Sequence, residues 1–181
     1  MTLLTNGPLP TAGLPVSEAE YLALGPTGSR VELWDGSLHT CPRETPRHQL
    51  IVGALAVALR AGRQDMNILA SVAVRLDPGR IAVPDLVVTG PIDLDAPLVE
   101  AADVRLVCEV VSHGSAAVDR AMKMYCYAAA GIPWYLLAEQ EYNSLYSYVL
   151  SGGVYIQDSV MHLDGVTGPG NAQAGTGDKD A

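Results

Sequence analysis

The sequence predicts one α/β (α+β) domain, a mixed sheet flanked by helices. Three observations predict it. Short runs rich in Val, Leu and Ile, bounded by turn residues, read as strands. Two longer stretches carry apolar residues at helical spacing. One of those helices joins two apolar runs, a crossover that makes its flanking strands parallel, whereas other connections are short enough for hairpins.

Residues 1–16 are rich in Pro, Gly and Thr and read as a flexible arm, with the domain over 17–160. Ser17 and Glu20 form a capping box that opens a short helix over 18–24. Residues 30–34 alternate as a strand, Asp35-Gly36 is a hairpin signal, and 37–41 return as its partner. Thr45-Pro46 is an N-cap followed by Pro at the first helical position. The helix they open runs to Ala61, and Gly62 ends it. Residues 68–76 and 81–88 read as an antiparallel pair around the turn at 77–80, and 89–102 as an acidic loop. A strand over 104–112, a helix over 116–130 and a strand over 134–138 form the crossover. A hairpin around Ser151-Gly152-Gly153 closes the domain, and the Gly-rich segment 161–181 reads as a disordered tail.

The 181 residues are enough for one proper core. No apolar run reaches the ~18 residues of a membrane span, and the N-terminus lacks the basic region of a secretory signal. Cys41, Cys108 and Cys126 are odd in number and far apart, so neither a disulfide framework nor a zinc knuckle is expected. A reducing cytoplasm is the simplest compartment. The net charge of −9 argues against tight, nonspecific DNA binding but is compatible with a local basic cleft. The chain has no GxSxG, P-loop or GxGxxG motif, which removes support for a serine nucleophile or nucleotide hydrolysis.

Two apolar runs each contain one acid. They are Ile81-Ala82-Val83-Pro84-Asp85-Leu86-Val87-Val88 and Val104-Arg105-Leu106-Val107-Cys108-Glu109-Val110-Val111-Ser112. A carboxylate inside such a run is costly unless it is paired or holds a metal. On neighbouring strands the two acids would repel, and a divalent cation would remove that conflict. Hard oxygen ligands favour Mg2+ or Mn2+. The alternative is that Asp85 caps a turn and Glu109 pairs with an Arg. Lys123 lies in the following helix and is the only lysine outside the tail, since the other basic residues are nine Arg and Lys179. Asp119 precedes Lys123 by four residues and shares its helix face, either as a surface ion pair or as a group that orients the lysine. Glu32, in an alternating strand, can face solvent, and His48, at a helix start, can be an exposed cap-region residue. His113 is a further conceivable ligand. Most tyrosines read as core and sheet-face packing.

The combined pattern resembles the Uma-two family of restriction-endonuclease-like proteins, within the PD-(D/E)XK nuclease superfamily. The matching stretches are Val31-Glu32-Leu33-Trp34-Asp35-Gly36-Ser37-Leu38, Thr45-Pro46-Arg47-His48, Val83-Pro84-Asp85-Leu86-Val87-Val88, Glu109-Val110-Val111-Ser112, Asp119-Arg120-Ala121-Met122-Lys123 with Tyr127, and Ala130-Gly131-Ile132-Pro133-Trp134-Tyr135-Leu136. The resemblance implies a restriction-endonuclease-like fold and Mg2+-dependent phosphodiester hydrolysis in DNA. By that match Asp85 and Glu109 take the two acidic positions. Val111 stands where the superfamily has its lysine, and Lys123 from the next helix takes that role. Glu32 matches an early acidic position as a further metal ligand, and His48 the histidine at the helix start; Ser112 and Asp119 are supporting candidates. Arg47, His48 and Arg120 are candidates for phosphate contacts. Two other readings stay open: a non-catalytic interaction module on the same fold, such as a homodimer, and a hydrolase of small phosphoesters.

Overall fold

The computed structural model describes residues 15–25, 29–41, 43–61, 65–111 and 117–164, with the side chains of 117–119 outside that description. The expectations for residues 1–14, Gly62, Ser112, His113 and 165–181 therefore lie outside the described residues. Ser17 caps α1 (Glu18–Ala23) through the expected capping box. The hairpin of β1 (Val31–Trp34) and β2 (Ser37–Thr40) follows, turning through Asp35 and Gly36, which both have positive φ. Gly36 is required there twice over. Its φ is +85°, and an added Cβ would lie 2.7 Å from the Pro15 Cβ. Thr45 caps α2 (Pro46–Arg60) by accepting from the His48 N–H.

The expected strand pair over 68–88 is broken in both arms. It becomes β3 (Asn67–Ala70), β4 (Val74–Asp77), β5 (Arg80–Ala82) and β6 (Leu86–Thr89). One break is at Ser71, with φ +53°. The other spans 83–85, where Pro84 has no N–H to offer a ladder. The base of the hairpin, β3 with β6, joins one sheet, and its tip, β4 with β5, joins another. Asp85 is therefore not inside a strand, as the sequence suggests. It occupies the bend where the chain passes between sheets.

The acidic loop contains β7 (Val99–Glu100) and a single 3-10 turn. Then come β8 (Val104–Val111), α3 (Ala117–Ala129) and β9 (Trp134–Glu139), with β8 and β9 parallel as the crossover requires. The hairpin of β10 (Ser144–Ser151) and β11 (Val154–His162) ends the fold. The last strand extends two residues past the expected boundary at 160, and Leu163 beyond it is buried. Among the described residues the strands form two mixed sheets, ordered β2-β1-β5-β4-β7 and β11-β10-β9-β8-β6-β3.

Alternation along β6 and β8 divides the core. Leu86, Val88, Leu106, Cys108 and Val110 pack with Ile51, Val52 and Leu55 of α2. Val87 and Val107 face the other way, into a cluster with Trp34 of β1 and Tyr127 of α3. Glu109 is two residues after Val107, so its side chain is directed to the face that carries β1 and α3. Cys108 and Cys126 are buried free thiols, as expected. Among the described residues no helix is long and apolar enough to cross a membrane.

Candidate active site at the seam of the sheets

The pairing of β6 with β8 places Leu86 opposite Cys108. Continuing that antiparallel register by one residue, back to Asp85 and on to Glu109, makes the two acids neighbours. Glu32, His48 and Lys123 join them from three other elements. All five are buried, from 1 % exposed for His48 to 6 % for Lys123. Neither a solvent-facing Glu32 nor an exposed His48 survives in the structure. Both are interior groups with assigned partners.

Three donors converge on Glu32. Trp34 Nε1–H gives to Oε2 at 3.1 Å, while the Val83 N–H at 3.0 Å and Lys123 Nζ at 2.9 Å give to Oε1. The first contact follows from strand alternation, because Glu32 and Trp34 share one face of β1. Lys123 and Tyr127 share one face of α3 by their i, i+4 spacing. That face delivers both to Glu109 Oε1, the Tyr127 hydroxyl at 2.6 Å and Lys123 Nζ at 3.4 Å. Asp85 is held differently. Its Oδ2 accepts from the Val110 N–H at 2.7 Å and pairs with His48 Nε2 at 3.2 Å, and its Oδ1 takes Arg30 Nη1 at 2.5 Å.

Burial pushes the Asp85 carboxyl up, but the His48 hydrogen bond, the Arg30 charge and the Val110 N–H outweigh it and hold the group below its ordinary 3.8. Glu109 goes the other way. Burial, with the charges of Asp85 and Glu32, raises it from 4.5 to about 7 against the opposing Lys123 charge and Tyr127 hydroxyl. Burial would lower His48, but the bond and charge of Asp85, with Glu44, raise it. The Nε2–H then gives to Asp85, and Nδ1 is a buried nitrogen with no hydrogen-bond partner among the described residues. Glu44, His48 and Asp85 also place one ligand atom each within 4.8 Å of one another.

The structure thus brings together Asp85, Glu109, Lys123, Glu32 and His48. Ser112 and the Asp119 side chain lie outside the described residues. Arg47 is exposed on α2. Arg120 is paired with Glu139. Sequence reasoning missed Arg30 and Glu44 as parts of the site. Nothing marks a strand-leading Arg whose contact spans 55 residues, whereas Glu44 left one signal, its i, i+4 spacing from His48, which it meets at 3.6 Å. Tyr127 also left a signal, its helical spacing from Lys123.

A mixed α+β fold with acids from two sheets and the bend between them gathered at a helix-borne lysine defines the class, a nuclease-like fold. Among solved structures the chain is similar to one described as "a putative nuclease belonging to DUF820" from Anabaena variabilis ATCC 29413. The TM-score is 0.67 at 14% identity, covering 82% of this chain and 85% of that one, a likeness of fold. Residues 18–172 match the family Uma2, described as "Putative restriction endonuclease", and the chain belongs to that family. No curated protein matches it.

Proposed function

We propose that this chain is a divalent-metal-dependent endonuclease that hydrolyses phosphodiester bonds in DNA. The observation that supports it is the placement of Lys123. A lysine from α3 reaches two acids on different strands, at 2.9 Å from Glu32 and 3.4 Å from Glu109, beside Asp85. Val111 therefore does not leave the site without a lysine.

The donor set fits a hard cation. Asp85, in the bend before β6, and Glu109, on β8, are carboxylates at adjoining register positions with Glu32 close by, and among the described residues the donors to Glu109 use Oε1, which leaves Oε2 for a ligand. When bound, Mg2+ or Mn2+ held by Asp85 and Glu109, with Glu32 as a further ligand, supplies a Lewis acid for a phosphate oxygen and lowers the pKa of water. The protein's own groups do the rest. The Val110 N–H and His48 fix the Asp85 carboxylate, Tyr127 fixes Glu109, and Glu32 holds Lys123 near the reacting phosphate. Lys123 is a preorganised positive charge for the oxygens that gain charge as water attacks phosphorus and the bond to the departing deoxyribose oxygen breaks. Arg43 and Arg47 are exposed around the start of α2, near His48, where they can meet a DNA backbone despite the acidic total. His48, Ser112 and Asp119 remain supporting residues of this reading, and the cytoplasm its compartment.

The test is a plasmid-nicking assay with Mg2+ and Mn2+. Wild type is expected to nick supercoiled DNA, and Lys123→Ala, Asp85→Asn and Glu109→Gln to lose that activity. A folded wild-type chain that cleaves no DNA with either metal sinks the proposal and leaves the non-catalytic interaction module as the better account.

A further inference from the structure

Asp85 has two oxygens, and their surroundings differ. Oδ2 is filled by protein, with the Val110 N–H at 2.7 Å and His48 Nε2 at 3.2 Å. Oδ1 is the oxygen through which the carboxylate can meet a cation, and Arg30 Nη1 is already on it at 2.5 Å. The other end of the same guanidinium, Nη2, lies 3.5 Å from Glu44 Oε1. Arg30 thus bridges two of the three residues whose ligand atoms converge within 4.8 Å. Arg30 is 17 % exposed and Glu44 25 %, against 3 % for Asp85, so the bridge runs from the interior outward.

We propose that Arg30 is a built-in counter-ion that competes with the divalent cation for Asp85 Oδ1, and that Glu44 receives its guanidinium when the cation displaces it. This rests on the metal-dependent reading above. The physical reason is exclusion. A guanidinium 2.5 Å from Oδ1 and a divalent cation on the same oxygen repel each other in a buried site, and a buried carboxylate with no positive partner is costly, so one cation replaces the other. The arrangement lets the apo protein keep Asp85 ionised and oriented. It also sets the metal concentration at which the site loads, because the ion must overcome the Arg30 contact. Arg is suited to this role, since its planar fork reaches Asp85 through Nη1 and Glu44 through Nη2.

The experiment is calorimetric titration of the full chain with MnCl2, comparing wild type, Arg30→Gln, Arg30→Lys and Asp85→Asn. Arg30→Gln is expected to bind Mn2+ at least about tenfold more tightly than wild type, about 1.4 kcal/mol. Arg30→Lys is expected to fall between them, and Asp85→Asn to lose the binding. Binding seen in Arg30→Gln but too weak to detect in wild type is the extreme form of the same result. Loss in Asp85→Asn with no tightening in Arg30→Gln overturns the counter-ion role and leaves the metal site standing. Wild-type affinity in Asp85→Asn, or no Mn2+ binding by any variant, overturns the metal reading itself. Should Arg30→Gln fail to fold, Arg30→Lys decides by the same criterion. The wild-type chain gives an independent readout through modification by phenylglyoxal, mapped by mass spectrometry. Mn2+ is expected to speed reaction at Arg30 several-fold, and an unchanged rate overturns the displacement.

Discussion

Asp85 and Glu109 are adjoining carboxyls of near-equal burial, 3 % and 5 % exposed, yet their surroundings push them in opposite directions. Asp85 is held below 3.8 and Glu109 raised to about 7. Burial does not set the sign, because it acts upward on both. Asp85 receives a backbone N–H, an imidazole and a guanidinium, with Arg30 giving its closest contact to Asp85. Glu109 receives a neutral hydroxyl and the longer of two contacts from a lysine nitrogen that is closer to Glu32. One cation divided between two acids leaves net negative charge in the interior, and a proton on Glu109 is the simplest relief. A bound divalent cation, as proposed above, would be another.

The strongest way to break this comparison is to remove the shared cation. Lys123→Met leaves Glu32 and Glu109 facing each other in the interior, and urea unfolding should show a loss of about 3–5 kcal/mol. A loss below about 1 kcal/mol would mean that the two acids are not relying on it.

The next effect is a pH slope. With the native Glu109 at about 7 and its unfolded value at 4.5, the native chain holds more protons across that interval. Stability therefore falls as pH rises from 4.5 to about 7, by up to a few kcal/mol. Asp85 has the opposite sign. Its stabilisation is complete above 3.8 and is lost as pH falls through its lower native value. The raised His48 adds to the neutral-side loss, since its contribution disappears as pH rises through its native value above 6.5. Unfolding free energies across pH 3–8 should show Glu109→Gln flattening the 4.5–7 decline, with the His48 part retained. An unaltered profile would place the titration elsewhere.

A smaller change sharpens the account of Glu109. Tyr127→Phe removes the 2.6 Å hydroxyl contact, should cost about 1–2 kcal/mol in urea unfolding, and should shift the Glu109 decline to higher pH. The smallest is a control away from the seam. Arg80 and Asp35 form a two-contact ion pair on the surface, so Arg80→Ala should leave the unfolding midpoint unchanged within error. If it matches Tyr127→Phe, burial is not what separates the two regions.

Much of the site was legible in the chain. The cost of an acid in an apolar run singled out Asp85 and Glu109, and the scarcity of lysine singled out Lys123. The strand–helix–strand pattern gave the parallel pair that brings α3 over Glu109. The break in the 68–88 hairpin was not read, although Pro84 marked one of its two hinges. Periodicity continues through both hinges, because residues on either side remain buried in different sheets. Arg30 and Glu44 were missed for a related reason. The importance of Arg30 comes from a carboxylate 55 residues away, of which sequence spacing carries no record, and that of Glu44 from the Arg30 and His48 that it meets only once both are turned inward.

By itself, the sequence determined the main order of helices and hairpins, the turn that needs Asp35-Gly36, and the two acids and lysine that cannot be buried alone. These follow from local rules of backbone geometry and from the cost of hiding charge. Only the tertiary structure decided how that charge is shared. It gave Arg30 to Asp85, divided Lys123 between Glu32 and Glu109, and turned His48 inward, because pairing in a low-dielectric seam depends on distances of a few ångströms between elements that are remote in the chain.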